Sequence, residues 1–431
     1  MMIPSWLKLA SSLLLVLLLR VDTYSAETRA HPMVENMATP APTQSRQHHL
    51  SVAPDGRLIL SWVEPRGDKE ELLRFATWDS GRWSAPQTVI AAKKLPDKPA
   101  VIGFAGGGLG AGWILPAVGS ADPDAVDIYL ARSSDGRGSW SAPEKASRHP
   151  KAYPYDLFLS GLADGTLSAV WSDGRQIIHH PEVPNKSKES WSGTQMLMAT
   201  RLDAQGRLGP EVALDTDMCS CCMPHSVAAD KEILTVYRDH QAGEVRDVAL
   251  VRWSEAGVSA PVNVHADGWV IEGCPSNGPA VDASGSPRGS RVAVAWFTGA
   301  KDRPAVKVAF SEDGGKSFGS PITVEGEAVA GFVDVLLLKD GVALVSWRTR
   351  RSDGPEQDLR LARVSEARGL LAQTLVPVGV FSEYPSEIPL LQRVGEKVFI
   401  AWTDASAHRV RLVRLPIALE GDLTVQARPP L

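Results

Sequence analysis

The chain has 431 residues, with 45 basic against 50 acidic side chains for a net charge of −5, and a hydrophobic content of 44%. That balance excludes a polycationic binder of nucleic acid or anionic membranes, while the apolar content is ample for a core. With 37 Gly, 31 Pro, 13 Trp and only four Cys, the chain is neither disordered nor a scaffold built from disulfides.

From the N-terminus, Lys8 precedes an apolar run from Leu9 to Leu19, too short to span a bilayer, and small or polar residues follow from Thr23 to Ala26. This predicts a signal peptide over 1–26, hence a secreted or periplasmic protein with no stable membrane span after cleavage. The polar, Pro-containing stretch 27–46 reads as a linker.

Beyond it the chain repeats. An aromatic residue ends a short apolar run at Trp62, Trp113, Trp171, Tyr237, Trp296, Trp347 and Trp402, at spacings of 51, 58, 66, 59, 51 and 55 residues. A second alternating run follows in most units, and a Trp-Ser-Ala-Pro-like marker then recurs, ending at Pro86, Pro143, Pro261 and Pro321. A period of about 55 residues with four short strands and no amphipathic helix predicts an all-β fold, a β-propeller of four-stranded blades. Seven units fit residues 47–431, six being the alternative if one is irregular. Each unit buries one face only when stacked on its neighbours, so the ring has to close.

Two hairpin segments are more specific: Ser311-Glu-Asp313-Gly-Gly315-Lys-Ser-Phe318 and Ser133-Ser-Asp135-Gly-Arg-Gly-Ser-Trp140. The first matches the Asp-box pattern at each position and the second has its glycines displaced by one. On these segments the chain resembles the sialidase-like, or BNR (Asp-box), β-propellers. The resemblance implies structural roles for Asp135 and Asp313, in hairpins opposite the active end. It also implies a carbohydrate or other anionic small ligand, with a protein partner as a further option, and, if catalytic, an exo-sialidase-like glycosidase. The Arg-Ile-Pro motif with which that family supplies its first arginine is absent; the corresponding stretch is His48-His49-Leu50-Ser51-Val52-Ala53.

In a propeller, loops entering the inner strand and loops between the second and third strands share one end. Arg175, Arg238, Arg348 and Asn277 are the ligand-binding candidates there, the arginines because a guanidinium holds an anion by forked hydrogen bonds. Asp239, Tyr384, Glu387 and Asp404 are candidates for acid, base or nucleophile. Asp156, His225 and Asp334 also fall just before inner strands.

All four cysteines lie in two such loops, Cys219-Ser-Cys221-Cys222-Met-Pro-His225 and Cys274-Pro-Ser-Asn277. One reading is a disulfide staple, for instance Cys222 to Cys274 with the other two closing a small loop, in a non-catalytic binding module. The other is a Cu(I) or zinc site made by Cys219, Cys221, Cys222 and Cys274 with His225.

Overall fold

A computed structural model describes residues 34–419, apart from 121, 123–124, 137, 180–190, 287–288, 339, 351–356, 377–379 and 382–386. The expected signal peptide, residues 1–26, lies outside the described residues, and none of the described helices is long and apolar enough to cross a membrane.

Among the described residues seven antiparallel blade sheets follow one another around a ring, and a two-stranded ribbon, Ile178–His179 with Trp191–Ser192, extends from the third. Blades 1 to 6 span residues 46–92, 100–145, 154–218, 225–265, 280–325 and 329–376. Blade 7 takes three strands from 390–416, and its fourth comes from the start of the chain: Glu35–Met37 pairs antiparallel with Leu412–Arg414. The stretch expected to be a linker therefore includes the strand that closes the ring. A bidentate pair between Arg414 and Glu35, at 2.6 and 2.7 Å, fixes its register. The irregular six-blade alternative is overturned because every unit supplies a complete sheet.

The period-marking aromatics explain why the units stack. Trp62, Trp113, Trp171, Tyr237, Trp296, Trp347 and Trp402 are all buried. The core is divided into seven apolar clusters, each filling one junction between consecutive blades. In each, the aromatic of the later blade packs against the earlier one: Trp113 against Ile59, Val63 and Phe75 of blade 1, for example. Second strands are therefore buried on both faces and read as continuous apolar runs rather than alternating ones.

At the opposite end from the inner-strand starts, Asp313 organises its hairpin. Its Oδ1 accepts from the Ser311 hydroxyl at 2.7 Å and the Lys316 and Ser317 N–H at 3.0 Å, and its Oδ2 from the Ser317 hydroxyl at 2.6 Å. Asp135 accepts from the Ser133 hydroxyl at 2.9 Å in the equivalent turn of blade 2. Both carboxylates are turn devices, as the motif implies.

Candidate functional site

Inner strands of neighbouring blades run side by side around the channel without pairing, so side chains stitch them. Asp282 Oδ2 accepts the Leu337 N–H of the next blade at 2.6 Å, and Asp334 Oδ2 accepts the Leu391 N–H at 2.7 Å. In blades 1, 3 and 6 the inner strand opens on a bulge, with Gln47, Asp156 and Phe332 in the left-handed region at φ 51°, 54° and 55°. A bulge re-aims its neighbours, and here it brings polar groups to the channel mouth.

The channel encloses a cavity of about 290 Å³ lined in part by His49, Phe158, His225, Asp282 and Asp334. Lys98, from the segment leading into blade 2, lies among four carboxyl groups at this end. Burial lowers its pKa against the opposing pull of Asp97, Asp156, Glu387 and Asp334. Burial pushes Asp156 up to about 7, Asp97 adds to the rise, and Lys98 opposes it. Asp334 likewise rises to about 7 through burial, against the Leu391 and Val335 N–H bonds, and Asp282 rises to about 6. Burial, with Lys98 adding to it, drops His49 and His225 to about 3, so both imidazoles are neutral. His225 Nδ1 accepts from the Val281 N–H at 3.4 Å, which leaves its proton on Nε2, 3.9 Å from Asp334. The result is two carboxyl groups able to exchange a proton near neutral pH, two neutral imidazoles and the Lys98 amine, whose pKa burial lowers.

The arginines expected to clamp a ligand are engaged elsewhere. Arg238 is 1% exposed, donates to the carbonyls of Asn277, Arg246 and Phe297, and lies 4.8 Å over Trp269. Asn277 is a clip between blades: its Oδ1 accepts the Phe332 N–H and its Nδ2 donates to Ala330 O. Gly331, at φ +87°, has no room for a Cβ, which would stand 2.0 Å from that Oδ1. Arg175 is held by Asp173 through two bonds of 2.7 Å and by Glu211 at 3.2 Å. Arg348 is sandwiched between Phe332 and Phe381 at 4.3 and 4.5 Å and donates to Gln357. Burial lowers it to about 10, with Glu387 opposing.

Of the described catalytic candidates, only Glu387 sits with the mouth groups, where it accepts the Gln47 N–H at 3.0 Å and its charge opposes the burial that lowers His48 to about 4. Asp404 is a turn carboxylate that accepts from Ser406 and Ala407 and faces Arg411 at 3.3 Å. Asp239 accepts from His240 N–H and Gln241 and lies off the channel lining. Tyr384 lies outside the described residues. Sequence reasoning missed Lys98, Asp97 and His49 as site residues. Their signal was position: each stands at or just before an inner strand, as Asp156 and His225 do.

The cysteines meet as expected, and one of the three clustered cysteines is bonded to Cys274. Cys221, not Cys222, is bonded to Cys274, while Cys219 and Cys222 are free and buried. The Cys219 sulfur lies 3.6 Å from that of Cys222 and 3.9 Å from that of Cys221. His225 stands apart from this group, its ring packed against Phe158 at 4.3 Å.

No protein-family model matches the chain. No curated protein matches it either. Solved structures are similar to the chain at low identity. A protein of unknown function from Dyadobacter fermentans is 14% identical over 90% of this chain and 98% of its own, with a TM-score of 0.43. An α-L-arabinanase from Penicillium chrysogenum is 12% identical over 90% and 98%, at 0.47, and the Hadza microbial sialidase Hz136 is 12% identical over 81% and 74%, at 0.45.

Proposed function

We propose that this propeller binds and cleaves a neutral glycan at the channel mouth, after export. The observation that carries the reading is the convergence of Asp156 and Asp334, both near 7, around Lys98. One carboxyl in its protonated form donates to a departing glycosidic oxygen while the other, ionised, activates water. The Asp-box hairpins support the carbohydrate class, and a cavity of about 290 Å³ suits a small ligand. The neutral character follows from charge: Arg175 and Arg238 are tied to protein partners, and Lys98 already faces four carboxyl groups. An anionic sugar would add negative charge to a group that already sets four carboxyls around one amine.

The test is a panel of neutral oligosaccharides, sialosides and uronates, read by calorimetry and product release with the mature chain and with Asp156→Asn and Asp334→Asn. The expected result is cleavage of a neutral substrate, falling at least ~100-fold in either variant with binding retained. Tighter binding of a sialoside or uronate than of every neutral sugar, or no binding across the panel, overturns the reading.

A further inference from the structure

Three sulfurs in the connection from blade 3 to blade 4 lie within 4.8 Å of one another, and two of them, in Cys219 and Cys222, are buried. A soft metal held at about 2.3 Å by thiolates sets neighbouring sulfurs about 3.8 Å apart at the edge of a tetrahedron. The separations of 3.6 Å from Cys219 to Cys222 and 3.9 Å from Cys219 to Cys221 match that edge, and the third lies within 4.8 Å. The fourth sulfur, of Cys274, arrives from the next connection and is bonded to Cys221.

The surrounding structure holds this arrangement in place. Cys219 N–H donates to the Arg238 carbonyl at 2.9 Å, and the Tyr155 hydroxyl donates to Ser220 O. The two loops touch so closely that a Cβ on Gly278 would stand 2.1 Å from Met223 O, so glycine is required there. Arg238 supplies positive charge beside Cys219 and Cys222, and Arg246 supplies it beside Cys219, which offsets the excess negative charge of a multi-thiolate site.

We propose that the four cysteines form a soft-metal site, for Cu(I) or Zn(II), gated by the Cys221–Cys274 disulfide. With the bond intact only Cys219 and Cys222 are thiols, too few to enclose an ion. A dithiol reductant transfers two electrons and two protons to Cys221 and Cys274, breaking their bond and itself becoming a disulfide. The ion then displaces the thiol protons to solvent as it binds. Thiolates without a hard oxygen donor select such soft ions over magnesium or calcium. The site is separate from the channel, since His225 is turned to Val281 and Asp334, and it stands or falls independently of the glycan reading.

The experiment uses the mature chain, oxidised or fully reduced under nitrogen, competing with bicinchoninate for Cu(I) and with a chromogenic chelator for Zn(II). Alkylation should count two thiols before reduction and four after it. The reduced chain is expected to take one equivalent of metal at least ~100-fold more tightly than the oxidised chain, beyond what outer-shell changes alone produce. Cys219→Ser and Cys222→Ser should each lose it, with near-UV circular dichroism confirming the fold. Cys274→Ser, which leaves three thiols, is expected to lose both ions, as a four-sulfur site requires; retained uptake of either ion would overturn the part assigned to Cys274. Equal affinity of the oxidised and reduced chains, no uptake of either ion, or unchanged uptake by the folded Cys219→Ser and Cys222→Ser proteins overturns the proposal.

Discussion

Asp313 and Asp334 are the same residue type at opposite ends of the ring, and the fold treats them in opposite ways. Asp313, on an exposed turn, feels burial as its largest single effect, upward, yet the bonds it accepts from the Ser311 and Ser317 hydroxyls and two backbone N–H groups together outweigh it and hold the carboxyl at about 2. Asp334 is buried and, among the described residues, accepts two backbone N–H bonds, from Val335 and Leu391, and burial carries it up to about 7. Desolvation and donor count compete at every carboxylate, and the winner separates a turn device from a proton-exchanging group. A third outcome is the arginine that supports the mouth from behind: Arg238 is as buried as Asp334, yet its charge is spent on carbonyls.

The largest expected effect comes from breaking that support. Arg238→Ala leaves the carbonyls of Asn277, Arg246 and Phe297 without their donor and opens a cavity beside Trp269. A loss of about 3–5 kcal/mol is expected, read from the urea midpoint. A variant that stays equally stable but loses ligand affinity would place Arg238 with the binding groups instead.

The next effect is in pH. Asp334 holds its proton up to about 7 in the folded chain, whereas an unfolded aspartate releases it near 3.8. Between those values the folded state carries the extra proton, so this group's stabilisation is full below about 4 and is lost as pH rises through 7. His225, dropped to about 3 from 6.5, acts in reverse: its contribution is full above 6.5 and is lost as pH falls towards 3. Where the two windows overlap they oppose. Asp334→Asn should therefore make the folded chain gain stability with rising pH between 4 and 7 relative to the parent, by up to about 1.4 kcal/mol per pH unit. Parallel pH profiles of the urea midpoint in the two proteins would refute the shift assigned to Asp334.

The smallest effect is at the other end. Asp313→Ala should cost only about 1 kcal/mol, because the turn is exposed and its bonds are exchanged for water. That cost is expected to fade below about pH 4, where the unfolded chain's carboxyl is already protonated and the folded advantage is lost as pH drops through 2. Ligand binding at the mouth should be unchanged in this variant, which direct titration will show.

Much of the fold was legible because it is local and repeated. The seven aromatics that mark the period are the residues that wedge the seven junctions, and the Asp-box residues form the turns their types require. The closing strand was not legible: Glu35–Met37 is short and polar, and its partner lies about 375 residues away. The site was legible by position only. Inner-strand starts do face the channel, but Arg175 and Arg238 look the same in sequence whether their guanidinium groups meet a ligand or a neighbouring loop.

By itself, then, the amino-acid sequence determined a ring of seven four-stranded units, the end at which its polar loops gather, and the convergence of four cysteines from consecutive loops. Those features follow from periodicity and chain connectivity, which a linear pattern carries. Only the tertiary structure decided that Cys221 rather than Cys222 bonds Cys274, and that Lys98, Asp156 and Asp334 share the channel mouth while the arginines brace its walls. The reason is that pairing distance, burial and the count of satisfied donors belong to groups brought together from different blades, and no segment of sequence contains them.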